Sequence, residues 1–272
     1  VSAPGKFHSP EPSAKPKGSA TALERLAGPL FIGAFLVAWE VLVRWLDMPA
    51  YIMATPWQIA VVVVNDFWTG VVFRHFLVTL QEVLVGFGIA TVFGVLIGTG
   101  IALVPMLNRT LYPMLLALQT IPKIALAPLF LIWFGFGITS KIVTVAVIVF
   151  FPIMVNVIAG LTTVDPRRLQ LMKALGATPI ETYIKVRLPS MMPFLFAGLE
   201  VAIIFSVTAA IVGEFIGASV GLGSMIIQRQ STSYVAGVFS ILFYLTVMGL
   251  TLNAILRLIG NRFCSWARVK EE

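Results

Sequence analysis

Residues 83–105 read VLVGFGIATVFGVLIGTGIALVP, a run that is apolar on every side. About 20 mostly apolar residues suffice to cross the hydrocarbon core as a helix. A barrel strand would alternate apolar and polar residues over about ten positions, and no such alternation exists here. Five further runs share the character, at 26–46, 111–134, 142–161, 193–215 and 237–259. The expected fold is an all-α membrane protein with six transmembrane helices. Composition agrees: of 272 residues 58% are hydrophobic and 11% charged, and the mean hydropathy is +0.96. Soluble domains carry about a quarter charged residues, so this chain lacks the polar groups to coat itself in water. The same numbers exclude a disordered chain, a coiled coil and a secreted disulfide scaffold. The single cysteine, Cys264, forms no internal disulfide.

The net charge of +7 would suggest nucleic acid in a soluble chain. Here topology explains it better, because Lys and Arg concentrate on the cytoplasmic side of membrane proteins. Six spans place both termini on one side. With the termini inside, the inner regions hold Lys6, Lys15, Lys17, Arg25, Arg109, Arg167, Arg168, Lys173, Lys185, Arg187, Arg257, Arg262, Arg268 and Lys270. The outer regions hold Arg44, Arg74, Lys141 and Arg229, a ratio of 14 to 4. Both termini are therefore expected in the cytoplasm.

Residues 1–22 are rich in Pro, Ser, Gly and Lys and read as a flexible cytoplasmic tail. The first apolar run has no small-residue cleavage site after it and reads as a retained span. It forms, with an outer interfacial segment around the apolar patch 59–64, a first region at 23–74. A transmembrane core follows at 75–262, then a cytoplasmic C-terminal tail at 263–272. No internal repeat is visible, which argues against the duplicated halves of many secondary transporters.

The largest inner connection, within residues 165–193, reads DPRRLQLMKALGATPIETYIKVRLPSMMP. Asp165 and Pro166 have the character of a helix N-cap and first-turn proline. Leu169, Met172 and Leu175 recur at helical spacing, and Gly176 suits a helix C-terminus. A second helical segment, 179–188, is expected to stop before Pro189. The result is a bent elbow over 165–189 carrying apolar knobs and basic residues together.

This elbow resembles the cytoplasmic signature of permease subunits of bacterial ATP-binding-cassette importers: Glu-Ala-Ala, three residues, Gly, nine residues, Ile-x-Leu-Pro. Gly176 is followed after nine residues by Val186, Arg187, Leu188 and Pro189, while Gln170, Leu171 and Met172 stand at the Glu-Ala-Ala positions. The stretches at 75–98, 119–141, 150–166 and 213–226 are similar to the nitrate/sulfonate/taurine branch, which includes bicarbonate and thiamine-precursor pyrimidine systems. The resemblance implies a type I importer permease of the bacterial inner membrane, not an enzyme. Its implied partners are a second permease copy (a homodimer), two cytoplasmic ATPase subunits and an extracytoplasmic solute-binding protein. ATP and magnesium would be bound by the ATPase, and no cofactor by this chain. The sequence has no GxxxxGK[ST] phosphate loop, in keeping with that division of labour. Gln170, Leu171, Met172, Gly176, Val186, Leu188 and Pro189 would couple it to the ATPase.

Ionisable groups at membrane depth are costly and mark interior pathways or structural pairs. Lys123 would lie roughly 18 Å along a helix counted from Leu111, with Gln119 one turn earlier. Two readings compete: Lys123 attracts an anionic substrate (a sulfonate, nitrate, bicarbonate or aromatic carboxylate), or it pairs with Glu200. Gln119, Lys123 and Glu200 are the candidate translocation-path residues. Glu200 also stands where the branch commonly carries Arg. Glu214 precedes the glycine-rich segment Gly217, Gly221, Gly223 and is expected to anchor it by accepting backbone N–H bonds. Glu40 receives no role. Gly86, Gly94, Gly98 and Gly100 read as helix-packing positions, and Phe130, Trp133, Phe134 and Phe136 as an interface belt. His8 and His75 support no metal site. The competing function is an ion-coupled secondary transporter, for which Glu200 alone hints at a proton relay. An intramembrane enzyme lacks any nucleophile or metal constellation.

Overall fold

The computed structural model describes residues 22–264, with side chains from residue 27 onward. Both tails expected from composition therefore lie almost wholly outside the described residues. Within them all regular structure is helical. The chain divides into two compact units, residues 1–48 and 49–272.

The first unit contributes α1, Ala22–Trp45. It is mostly apolar, with Phe31 and Trp45 largely exposed, and Arg44 pairs with Glu40 one turn away.

The second unit opens with α2, Pro56–Thr69, which holds the patch 59–64. Thr55 caps it: its hydroxyl accepts the Gln58 N–H while the Gln58 side chain accepts the Thr55 N–H. Gly70, at φ +72°, ends α2 and turns the chain into α3, Val71–Leu103. Pro105 then begins α4, Pro105–Gln119.

The run 111–134, expected as one span, is instead two helices bent by 80° about a short break. Pro122 has no N–H to donate and disfavours helical backbone at the residue before it, so α4 stops at Gln119. A 3₁₀ turn, Lys123–Leu126, leads into α5, Ala127–Phe134, whose first turn accommodates Pro128. Counting depth along one continuous helix to Lys123 therefore fails.

After α6, Ile138–Thr162, come the elbow helices α7, Pro166–Ala174, and α8, Pro179–Thr182. The second elbow segment, expected to stop before Pro189, does not stop there. A π-helical turn, Tyr183–Arg187, passes directly into α9, Leu188–Gly217. The Leu188 N–H reaches back five residues to the Tyr183 carbonyl. That wider turn relieves the clash between a proline ring and the carbonyl one turn behind it. The outcome is an apolar helical rod of 39 residues, Pro179–Gly217. α10, Leu222–Ser231, and α11, Val235–Phe263, complete the chain.

α3, α6 and α9 form the core. Gly86, Ala90, Gly94 and Gly98 recur every fourth residue and are buried along one face of α3. A Cβ on Gly86 would meet the Val145 side chain at 2.6 Å, and one on Gly98 would meet the Met154 carbonyl at 3.0 Å, so α3 and α6 touch nearly backbone to backbone. Gly160 and Gly198 do the same between α6 and α9, against Met191 and Asn156. A Cβ on Gly100 would meet nothing within 4 Å among the described residues, so the close approach expected there is not made. In lipid, apolar surface gains little by leaving the solvent, so close van der Waals approach must hold such helices together. The opposite face of α3, with Ile89, Val92 and Leu96, is exposed and suited to acyl chains.

Of the four aromatics expected as an interface belt, Trp133, Phe134 and Phe136 are exposed, whereas Phe130 is buried. Phe136 covers Gly217, which leaves room for it by having no side chain.

Candidate functional site

Three clusters place the chemistry-bearing residues. The elbow is the best specified by local sequence. Asp165 accepts the Arg167 N–H at 2.8 Å and starts α7. At the other end Gly176 adopts φ +72°. Its N–H donates to the Lys173 carbonyl and the Ala177 N–H to the Met172 carbonyl, the two bonds of a Schellman motif. Thr178 restarts the helix by a capping box: its hydroxyl accepts the Glu181 N–H, and Glu181 accepts the Thr178 N–H at 2.8 Å. The Thr178 backbone and hydroxyl, with Lys185 beyond them, hold the exposed Glu181 carboxyl below the usual carboxylate range. Leu171, Leu175, Ile180 and Ile184 are all more than half exposed on this capped knuckle. Gln170 is exposed, and Met172, Val186, Leu188 and Pro189 are half-buried. Such a rigid surface with unpartnered apolar knobs suits docking of another protein.

The second cluster surrounds the helix break. Lys123 donates to the Gln119 carbonyl at 3.1 Å and lies over the Phe151 ring at 5.0 Å. The ammonium thus occupies the carbonyl that an unbroken helix would have paired with a backbone N–H. It does not pair with Glu200. Glu200 instead accepts from Arg257 of α11 at 3.1 Å, so of the two competing readings the pairing with Lys123 is not the one made in this structure. The Gln119 side-chain nitrogen is buried and makes no hydrogen bond.

The third cluster lies at the far end of the α9 rod. Three backbone N–H groups at the start of α10 meet three side chains: Gly221 donates to His75 Nδ1 at 3.0 Å, Leu222 to the Thr79 hydroxyl at 2.8 Å, and Gly223 to Glu214. Thr79 donates in turn to Glu214 at 2.6 Å. Glu82, fully buried, lies against Glu214. Lys141, expected in an outer region, is buried in the first turn of α6 and lies across Gly213. Gly221 takes φ +138° and leaves no space for a Cβ beside the Glu214 carboxyl.

Next to this cluster, Arg229 clasps Asp66 through two bonds of 2.8 and 2.7 Å. Ser240 accepts from Arg229 and donates to Asp66, and Tyr244 donates to the Val63 carbonyl. α2, α10 and α11 are thereby tied together. Arg229, expected in an outer region, is mostly buried in this pair.

Sequence reasoning missed His75, Thr79, Glu82 and Asp66 as parts of these clusters. The first three carried a readable signal. They follow one another at intervals of four and three residues, so a helix places them on one face. Asp66 had no such signal, because its partner lies far along the chain.

Residues 90–264 match the family described as binding-protein-dependent transport system inner membrane component. The formylaminopyrimidine transport permease protein ThiX of Halalkalibacterium halodurans is 33% identical over 88% of this chain and 95% of its own length. The riboflavin transport system permease protein RibX of Chloroflexus aurantiacus is 31% identical over 88% of this chain and 89% of its own. The putative aliphatic sulfonates permease SsuC of Bacillus subtilis is 27% identical over 89% of this chain and 87% of its own. A chain of the MetNI methionine ABC transporter shares the fold, with TM-score 0.60 at 21% identity, covering 74% of this chain and 97% of that one. Nothing among these supports an ion-coupled secondary transporter. The chain belongs to the binding-protein-dependent transport system inner membrane component family and is a multi-pass permease subunit of an ABC importer, not itself catalytic.

Proposed function

We propose that this chain forms one of two identical membrane-spanning halves of an importer driven by two cytoplasmic ATPase subunits and supplied by an extracytoplasmic solute-binding protein. ATP and magnesium are bound by the ATPases, and both termini and the elbow lie in the cytoplasm of a bacterial inner membrane. The observation that carries this reading is the elbow itself. Leu171, Leu175, Ile180 and Ile184 stand exposed on a segment fixed at each bend by complete caps. Surface without function is rarely held so firmly, and an exposed apolar patch marks a protein contact. ATPase closure pushes the elbow; the rod Pro179–Gly217, about 58 Å long at 1.5 Å per residue, carries the displacement to the opposite end.

The solute is small and carries anionic or strongly hydrogen-bond-accepting groups. Lys123, half-exposed at the helix break, supports this reading. Curated relatives transport a formylaminopyrimidine and, by name, aliphatic sulfonates, and both solute types offer such acceptors. The test is uptake by proteoliposomes holding the chain, its ATPase and its binding protein. Uptake that requires internal ATP is the expected result. Uptake by the chain alone, driven by an ion gradient, would refute the proposal.

A further inference from the structure

Beside the elbow, between its two helices and the end of α3, lies a groove of about 400 Å³, within the range of small-molecule sites of about 300–1,000 Å³. Lys173 of α7 and Arg187 of the π turn both line it, together with Thr182 and Tyr183; Leu103 and Leu169 form its apolar wall. No acidic residue lines it. Among the described residues neither Lys173 nor Arg187 has an ion pair or a side-chain hydrogen bond. The nearest acid in sequence, Glu181, is occupied by Thr178 and Lys185. The Tyr183 hydroxyl is steadied by Thr99 of α3 at 3.5 Å.

We propose that this groove binds a phosphate group, carried by an anionic phospholipid headgroup or by a free phosphate ion. Arg187 offers a planar fork matched to two phosphate oxygens, and Lys173 adds a point charge. Thr182 and Tyr183 supply neutral donors. Leu103 ends the long apolar helix α3, and the proposal sets the groove at the level of the cytoplasmic headgroups, which rests on the elbow facing the cytoplasm. The docking knobs Leu171, Leu175, Ile180 and Ile184 do not line it. Loss of this site and loss of ATPase docking are therefore separate events, read by separate measurements.

The test uses the full chain in a neutral detergent. It is titrated calorimetrically with inorganic phosphate, with dihexanoyl phosphatidylglycerol and with dihexanoyl phosphatidylcholine. Saturable binding of phosphate or phosphatidylglycerol is expected, weakening as salt rises. Binding of phosphatidylglycerol without phosphate assigns a lipid headgroup; binding of both assigns the phosphate group itself. The double substitution Lys173→Gln/Arg187→Gln should weaken binding at least about 10-fold, as loss of charged hydrogen bonds does. Should that variant fail to fold, Lys173→Gln alone, at an exposed position, carries the comparison with a smaller loss. Absence of binding by both anions, equal binding of phosphatidylcholine, or unchanged affinity in the substituted chains would overturn the proposal.

Discussion

Single residues at the α10 start show how much one position can control. Gly221 combines φ +138° with the Glu214 carboxyl where a Cβ would stand. Gly221→Ala should therefore cost about 1–3 kcal/mol from backbone strain alone, read as a lower thermal midpoint of the detergent-purified chain. An unchanged midpoint would show that the segment relaxes freely. Asp66→Asn removes the charge opposing a mostly buried Arg229. Breaking a buried pair from one side costs about 3–5 kcal/mol, so this variant should express poorly, while Glu200→Gln, in a pair whose arginine is largely exposed, should be nearly neutral in stability. Comparable yields of the two variants would contradict the assignment. Lys123→Gln keeps a polar hydrogen-bonding side chain but loses the charge and some reach. It should leave folding intact and lower uptake of an anionic solute; reduced expression with normal transport per molecule would mark Lys123 as structural.

At the scale of elements, the elbow was legible because its signals are local. Asp165, Gly176 and Thr178 each act on atoms within five residues, and a capping residue forms its bond whatever the rest of the chain does. Gly176→Val tests this. A Cβ there would meet nothing within 4 Å, but a β-branched residue in left-handed backbone costs about 1–2 kcal/mol. The elbow should lose its bend and the ATPase should no longer co-purify, with membrane insertion unchanged. Normal co-purification would separate the bend from docking. The same local reasoning failed at Pro189 and along 111–134, in opposite directions. Proline signals a break in both, yet the π turn absorbs it at Pro189 while Pro122 snaps the helix before Lys123. Which outcome wins depends on how the neighbouring helices support the freed carbonyls, and no window of sequence contains that information. The glycine stripe of α3 was readable, but its partner helix was not.

The second unit is a rod-and-core arrangement. α3, α6 and α9 pack through small residues, and α9 runs unbroken from the elbow to the buried acids Glu214 and Glu82. Its membrane character followed from composition, because too few charges exist to cover it in water. The pairings that tie distant segments, Asp66 with Arg229 and Glu200 with Arg257, depend on three-dimensional register and were invisible. The account rests on force entering at the elbow. A photo-crosslinking amino acid placed at Leu175 or Ile180 in cells that express the entire transporter tests this most directly, with Leu96, exposed on α3, as the control. Covalent adducts to the ATPase from both elbow positions and none from Leu96 are predicted. An elbow that labels only from outside the cell, or never reaches the ATPase, would contradict the account.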